Sequence, residues 1–213
     1  MTEQEPSLPD PCASPSSAAL RVEAMARRIG ERGWDVCDDF LDTGQIARLA
    51  AEARIAWHAG GFRPARVGQG RGLLLSPELR GDHILWLDRA QAPLEDFYAA
   101  LERLRQAVNR ECFLGLFEFE GHFAIYLPGT FYRRHLDQFE GDRSRKLSCV
   151  LYLNLDWKPE HGGALRLYVG GDDYIDVPPR GGTLVSFLSE QFYHEVLPNT
   201  VERLSLTGWF RTR

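Results

Sequence analysis

Residues 117 to 126 read FEFEGHFAIY, a stretch in which apolar and polar side chains alternate. Successive side chains of a β-strand point to opposite faces, so the pattern predicts a strand with one apolar and one polar face. The apolar face would carry Phe117, Phe119, Phe123 and Ile125. The opposite face would carry Glu118, Glu120, His122, Ala124 and Tyr126. The stretch therefore predicts a sheet buried on its apolar side.

The same alternation returns in LSCVLYLNL at 147–155, where Leu155 ends the apolar face, and in RLSLTGWF at 203–210. Short alternating runs separated by Gly, Pro, Asn and Asp are typical of an antiparallel barrel or sandwich. The polar face of such a sheet is commonly just exposed to solvent. Here these faces carry large amphipathic rings and a cation, which favours a pocket for a small anion. The residues concerned are Tyr126, Tyr152, Arg203 and Trp209.

The first half of the chain is predicted to be mainly helical. Apolar residues at helical spacing predict three helices, at 17–33, 42–61 and 93–113. Asp42 and Gln45 have the spacing of a capping box at the start of the second helix. We therefore expect a mostly β fold with N-terminal helices, divided into helical support at 17–115 and a β core at 116–213.

Shorter features lie between these helices. Strands are expected at 34–40 and 83–87. The stretch 62–82 is rich in Gly and Arg and too irregular for a packed element. It is predicted to be a mobile loop over a binding site, and a plain surface loop is the alternative.

Composition sets the broad class of protein. The chain has 213 residues, of which 44% are hydrophobic, enough for one globular domain at 17–213 after a flexible, Pro- and Ser-rich tail at 1–16. A net charge of -5 disfavours a nucleic-acid partner. The four cysteines are scattered, and neither a secretory signal nor a membrane-spanning run is present. We therefore expect a monomer with reduced thiols in the cytoplasm, with no membrane partner.

A candidate metal site rests on three residues. His135 and Asp137 stand two apart, so both side chains leave the same face of an extended segment. Such a pair is common by chance, but His194 near the start of a later strand supplies a third ligand. Two imidazoles and one carboxylate form the facial triad of non-haem iron(II) oxygenases, although zinc hydrolases also use this set. His122 is a further candidate ligand; His58, His83 and His161 are expected to be structural.

Arg203 favours iron over zinc. A guanidinium inside a pocket requires a carboxylate-bearing partner, although an ordinary surface ion pair is the alternative for a strand arginine. A co-substrate such as 2-oxoglutarate would bind iron through its keto oxygen and near carboxylate. Its far carboxylate would then meet Arg203 and the hydroxyl of Tyr152.

Several motifs in this order resemble the prolyl 4-hydroxylase family of iron(II)- and 2-oxoglutarate-dependent oxygenases. The resemblance is to the animal oxygen-sensing (HIF-type) prolyl hydroxylases and their bacterial relatives, and it covers roughly the last two-thirds of the chain. The motifs are LRGDHILWLD at 79–88, YLPGTFYRRHLD at 126–137, LSCVLYLNLDW at 147–157, GGALRLY at 162–168, HEVLP at 194–198 and RLSLTGWF at 203–210.

The resemblance implies a double-stranded β-helix, a jelly-roll or cupin-like core with about three helices packed on one sheet. It implies metal ligands at His135, Asp137 and His194, and a 2-oxoglutarate site at Tyr126, Tyr152 and Arg203, with Arg203 also counted as catalytic. It further implies that Asp82 and Arg145 tie the loop at 62–82 to the barrel when substrate binds. Tyr132 and Trp209 would line the substrate pocket.

The implied reaction is hydroxylation of a prolyl C4 in a protein substrate, with Fe(II), 2-oxoglutarate and O2 as cofactors and ascorbate as reductant. Bacterial relatives suggest a translation factor such as elongation factor Tu as the substrate. Two alternatives stay open. One is a 2-oxoglutarate oxygenase acting on a small molecule or nucleobase, and the other is a non-catalytic cupin-like binding or sensing module.

Overall fold

The computed structural model describes residues 17–66, 75–88, 94–138 and 141–213. Within them the chain forms three α-helices, one short 3-10 turn and eleven strands. The helices are α1 (Ser17–Arg32), α2 (Thr43–His58) and α3 (Glu95–Cys112), and the 3-10 turn is Pro159–His161. The strands are β1 (Trp34–Cys37), β2 (Arg63–Pro64), β3 (Asp82–Trp86), β4 (Glu118–Tyr126), β5 (Tyr132–His135), β6 (Arg145–Tyr152), β7 (Leu165–Gly170), β8 (Asp173–Val177), β9 (Leu184–Leu188), β10 (His194–Val196) and β11 (Arg203–Arg211).

Two antiparallel sheets form the body of the fold. The larger sheet has seven strands in the order β1-β9-β6-β11-β4-β3-β2, and the smaller has four in the order β5-β10-β7-β8. Side chains of both sheets meet in one buried cluster, which includes Val150 and Phe187 from the larger sheet and Leu167 and Val196 from the smaller. This is the jelly-roll arrangement of the double-stranded β-helix, so the predicted fold class is confirmed.

The three helices cover the outer face of the larger sheet. Their apolar stripes, with Met25, Leu49 and Leu101 at the centre, pack in one cluster against the apolar faces of β4, β6 and β11. The predicted alternation is therefore confirmed for the strands themselves. It is wrong at two flanking residues, Phe117 and Leu155, which are 49% and 47% exposed. Phe117 precedes β4 and Leu155 follows β6, so neither is held by the pleat.

The helix signals predict the observed boundaries closely. Asp42 accepts the backbone N–H of Gln45, whose side chain accepts the backbone N–H of Asp42, which confirms the capping box. The strand expected at 34–40 is shorter, since β1 ends at Cys37. Phe40 then lies in a turn, where its N–H donates to the carbonyl of Gly182.

The loop prediction at 62–82 is wrong in part. Arg63 and Pro64 form an edge strand that pairs antiparallel with β3. Pro64 is compatible with this position because a strand at the sheet edge does not need every N–H for pairing. Residues 67–74 of this predicted loop and the predicted tail at 1–16 lie outside the described residues.

The central strands β4 and β11 approach closely at a pair of glycines. Gly121 and Gly208 lie opposite each other in the register. A Cβ atom on Gly208 would lie 2.4 Å from both the Glu120 carbonyl oxygen and the Phe119 ring. The missing side chain therefore leaves room for the Phe119 ring over β11. None of the described helices is long and apolar enough to cross a membrane.

Candidate active site

Three side chains able to bind a metal converge between β5 and β10. These strands pair antiparallel with His194 directly opposite His135, and Asp137 follows two residues after His135. One potential ligand atom from each of the three lies within 4.8 Å of the others. Among the described residues, this is the group of His, Cys, Asp and Glu whose atoms are close enough to share one ion.

Backbone carbonyl groups orient both imidazoles in the same way. Nδ1 of His135 donates to the carbonyl oxygen of Arg133 at 2.7 Å, and Nδ1 of His194 donates to that of Phe192 at 3.3 Å. A neutral imidazole with its proton on Nδ1 carries its lone pair on Nε2. Each Nε2 lies 3.6 Å from an oxygen of Asp137. Both lone pairs are thus directed to the space beside the carboxylate.

Burial sets the charge states of this group. Desolvation, with a smaller contribution from His135, lowers the pKa of His194 to about 4. Burial alone would raise the pKa of Asp137, but His194, His135 and the hydroxyl of Ser148 together hold that pKa below its usual value. At neutral pH the site therefore offers a carboxylate and a neutral His194, the states that bind a divalent cation.

Arg203 lies deeper between the sheets, at the start of β11 and opposite Tyr126. It is 1% exposed, and its Nε donates to the carbonyl of Gly163 at 2.9 Å. Its guanidinium carbon lies 4.9 Å from the ring centroid of Tyr126 and 5.1 Å from that of Tyr152. The alternative of a surface ion pair is therefore wrong.

Two buried donors at this point lack partners. Within the described part of the chain, neither Nη2 of Arg203 nor the hydroxyl of Tyr152 has a hydrogen-bond partner. Burial raises the pKa of Tyr152 to about 12, although the Arg203 charge opposes this rise. Tyr152 is therefore a protonated donor beside a cation, and buried donors of this kind normally have an acceptor. A carboxylate satisfies both.

A cavity of about 810 Å³ connects the three candidate metal ligands with Arg203. Among the residues predicted from sequence, it is lined by His135, Asp137, His194, Arg203, Tyr126, Tyr132, Trp209, Asp82 and Arg145. Tyr152 is fully buried beside Arg203. The structure therefore brings all ten predicted site residues to one region.

The mouth of the cavity is built from stacked rings and paired charges. Tyr132 stacks on His135 with ring centroids 3.6 Å apart, and the Arg80 guanidinium lies 4.3 Å above the Tyr132 ring. The Arg145 guanidinium lies 3.5 Å above the ring of Trp209. Burial raises the pKa of Tyr132 to about 12, so its hydroxyl remains protonated.

In this structure Asp82 and Arg145 form hydrogen bonds with other residues and not with each other. Asp82 accepts two hydrogen bonds from Arg80, at 2.7 and 2.6 Å, and Arg145 donates to Glu120 at 2.9 Å. The expected pairing of Asp82 with Arg145 concerns a substrate-bound state, and for that state it stays a prediction.

His122 takes the structural role and not that of a spare ligand. Its ring packs edge-on to Trp86, with centroids 5.1 Å apart, and lies 5.7 Å from the ring of Trp209. Burial lowers the pKa of His122 to about 4, so this imidazole is a neutral part of the cavity wall.

Comparisons with known proteins identify the family. The profile of the 2OG-Fe(II) oxygenase superfamily matches residues 121–211. A human protein named prolyl hydroxylase EGLN3 is 31% identical over 206 residues, covering 90% of this chain and 83% of the relative. This chain belongs to the prolyl hydroxylase family of iron(II)- and 2-oxoglutarate-dependent oxygenases. The mouse relative of the same name is 28% identical over the same shares of both chains.

Solved structures agree with membership of this family. A prolyl-4-hydroxylase from Pseudomonas putida has a TM-score of 0.83 and 44% identity, covering 90% of this chain and 99% of the other. A prolyl hydroxylase from Trichoplax adhaerens, solved with a hypoxia inducible factor peptide, also has a TM-score of 0.83, and at 21% identity it supports the fold alone. As a family member, this chain is a dioxygenase that uses Fe(II), 2-oxoglutarate and O2, which excludes the non-catalytic binding module.

Sequence reasoning missed several residues of the prolyl hydroxylase site. Arg80 holds Asp82, and its position two residues earlier in the chain was an available signal. The alternation places Glu120 on the polar face of its strand, but it does not identify Glu120 as the partner of Arg145. Ser148 and Ser189 lie behind Asp137, and only the polar-face position of Ser148 pointed to the cavity.

Proposed function

We propose that this chain hydroxylates a prolyl residue of a protein substrate at C4, with His135, Asp137 and His194 holding the iron. The observation that carries the proposal is the combination of this His-Asp-His group with two buried, unpaired donors in one cavity region. The donor set suits iron(II) and the unpaired donors suit a dicarboxylic acid. The names of the human and Pseudomonas putida relatives supply the prolyl substrate and the C4 position.

Bound iron supplies the oxidising chemistry with O2 and 2-oxoglutarate, and the chain supplies binding and orientation. The backbone bonds to His135 and His194 keep the Nε2 lone pairs directed to the metal position. Arg203 and Tyr152 bind the far carboxylate of 2-oxoglutarate, and Tyr126 contacts the co-substrate nearer the metal. The buried walls exclude water from the reacting groups.

The prolyl ring enters through the aromatic mouth. Trp86 is 52% exposed at this mouth, while Trp209 is nearly buried. An incoming apolar ring can therefore pack against these two side chains on its way from solvent to the metal position. Arg145, whose guanidinium stacks on Trp209, contacts the substrate at this mouth. Tyr132 completes the wall beside His135. Asp82 and Arg145 close together over the bound substrate.

Elongation factor Tu is the first protein substrate to test, in a cytoplasmic setting, with ascorbate as the reductant that keeps the iron ferrous. The 44% identity to a bacterial prolyl-4-hydroxylase supports a bacterial target. We further propose that residues 17–213 act as one oxygenase domain in a monomer that needs neither a nucleic acid nor a membrane.

The test incubates the purified chain and elongation factor Tu with Fe(II), 2-oxoglutarate and ascorbate. Peptide mass spectrometry should find one added oxygen on a proline, and succinate should form in equal amount. Asp137→Ala serves as the matched inactive control. If oxygen were added to other proteins of a cell extract but not to elongation factor Tu, the substrate would be one of those other proteins. Turnover with small molecules and with no protein would contradict the proposed substrate class.

A further inference from the structure

Two buried hydroxyl groups stand behind the carboxylate of Asp137. Ser148 lies on β6 and Ser189 directly follows β9, and both are 0% exposed. The Ser148 hydroxyl donates to Oδ2 of Asp137 at 2.7 Å, and the oxygens of Ser148 and Ser189 lie 2.9 Å apart. The three side chains therefore form a continuous chain of hydrogen bonds that ends at a proposed metal ligand.

Counting protons gives this chain a direction. An ionised carboxylate accepts hydrogen bonds and cannot donate one, so the single proton of Ser148 must point to Asp137. In the contact between the two serines, Ser189 must then be the donor. We infer that Ser189, donating to Ser148, which donates to Asp137, is a directed relay that positions the carboxylate for metal binding. The inference rests on the proposed metal site.

The backbone holds Ser189 in place for this role. Its N–H donates to the carbonyl of Lys146 at 3.0 Å. The neighbouring Glu190 lies 3.7 Å from Nζ of Lys146 and accepts a hydrogen bond from Gln138 at 3.3 Å. These contacts tie the segment after Asp137, the start of β6 and the end of β9 to one another. With the backbone fixed, the Ser189 hydroxyl needs only a side-chain rotation to direct its proton to Ser148.

The relay has a direct consequence for the ligand geometry. The terminal torsion of an aspartate side chain is soft, so an unrestrained carboxylate samples a broad range of rotations. The bond from Ser148 occupies one lone pair of Oδ2 and fixes this rotation, while Oδ1 faces His135. Hydrogen bonds to metal ligands typically change metal affinity by about 10-fold to 100-fold. Ser189 adds to this by polarising the Ser148 hydroxyl.

The structure offers a matched control. Ser186 lies on β9, is also 0% exposed, and its hydroxyl lies 3.7 Å from the sulfur of Cys149, toward the helices. Ser186→Ala therefore removes a buried hydroxyl from a neighbouring strand without touching the relay. Ser148→Thr keeps the hydroxyl that Ser148→Ala removes.

The experiment titrates the full chain with Mn(II), following the free ion by electron paramagnetic resonance, and records thermal unfolding of each metal-free variant. Ser148→Ala should weaken Mn(II) binding by about 10-fold to 100-fold. Ser189→Ala should weaken it less, and the double variant should match Ser148→Ala, because Ser189 acts through Ser148. Ser148→Thr and Ser186→Ala should bind as the unaltered chain does.

Several results would overturn the relay. Mn(II) binding by Ser148→Ala within about twofold of the unaltered chain would show that Ser148 does not position the carboxylate. If the effects of the two substitutions multiplied in the double variant, the two serines would act independently, and Ser189 would not act through Ser148. If Ser148→Ala does not fold, unaltered binding by Ser189→Ala decides against the relay. Failure of the unaltered chain to bind Mn(II) would instead contradict the metal site itself, together with everything that rests on it.

Discussion

Arg203 and Tyr152 present a buried guanidinium nitrogen and a buried hydroxyl that have no hydrogen-bond partner within the described residues. The guanidinium carbon lies 5.1 Å from the Tyr152 ring centroid, so one small anion can meet both groups. Leaving a buried donor unpaired costs about 1 to 3 kcal/mol, more when it is charged. We therefore propose that this position takes a ligand, and the far carboxylate of 2-oxoglutarate matches the two donors.

Replacing Arg203 by Ala should raise the 2-oxoglutarate concentration needed for half-maximal turnover by about 30-fold or more. The reason is that losing one partner of a buried charge pair costs roughly 2 kcal/mol or more. Succinate release as a function of 2-oxoglutarate measures this. Arg54→Ala, at an exposed arginine of α2, should leave the requirement unchanged. If Arg203→Ala needed the same 2-oxoglutarate concentration as the unaltered chain, Arg203 would not bind the co-substrate.

Replacing Tyr152 by Phe separates ligand binding from stability. The variant should need about 10-fold more 2-oxoglutarate or beyond, since one hydrogen bond to a charged group contributes about 1.5 to 3 kcal/mol. Its metal-free form should be at least as stable as the unaltered chain, because an unpaired buried hydroxyl is lost. Chemical denaturation measures the stability. A large loss of stability with unchanged 2-oxoglutarate affinity would mean that the hydroxyl has a structural partner.

Acid should destabilise the metal-free protein through its buried histidines. His122 and His194 have pKa values lowered to about 4, whereas in the unfolded chain a histidine titrates near 6.5. Between these values the unfolded state binds the proton and the folded state does not, so stability falls as pH falls. The expected loss is about 1 kcal/mol per pH unit for each histidine.

His122→Gln should remove the part of this slope that is due to one histidine. The free energy of unfolding, measured from pH 6.5 down to 5, reports the difference between the variant and the unaltered chain. His58→Gln, at an exposed position at the end of α2, is the control and should keep the full slope. An identical slope in His122→Gln would show that His122 accepts a proton in the folded state.

The contact between β4 and β11 should not accept a side chain at Gly208. Gly208→Ala would place a methyl group 2.4 Å from a backbone oxygen and an aromatic ring, and overpacking of this kind costs about 1 to 3 kcal/mol. Thermal unfolding measures the loss. Gly170→Ala is the comparison, since no atom lies within 4 Å of its added carbon. Equal stability of the two variants would mean that the strands can separate without cost.

The two faces of the central strands, and the pairing of His135 with Asp137, follow from local patterns in the sequence. The alternation in β4, β6 and β11 defines which face meets the helices and which meets the cavity, because strand side chains alternate strictly. His135 and Asp137 are linked by that same spacing. Predicting that His194 lies beside them required the order of the motifs and the resemblance to a family. Local sequence patterns do not predict which distant strands pair.

Other features depend on contacts that the local sequence pattern does not decide. Asp82 has both Arg80 and Arg145 in the same cavity, and the sequence does not tell which arginine it binds in the absence of substrate. The short strand at Arg63 and Pro64 pairs with the edge of β3, and no local pattern in the sequence predicts this pairing. Ser189 gains its role from the neighbouring strand, which places it beside Ser148.

The most direct test of the central claim is an anaerobic titration of the full chain with Fe(II) under a competing chelator. The account predicts one tightly bound ion per chain. It also predicts the loss of tight binding in Asp137→Ala and in His194→Ala, with full binding kept by His122→Gln. Tight binding that survives in both Asp137→Ala and His194→Ala would contradict the account, because the iron would then be held somewhere other than between β5 and β10.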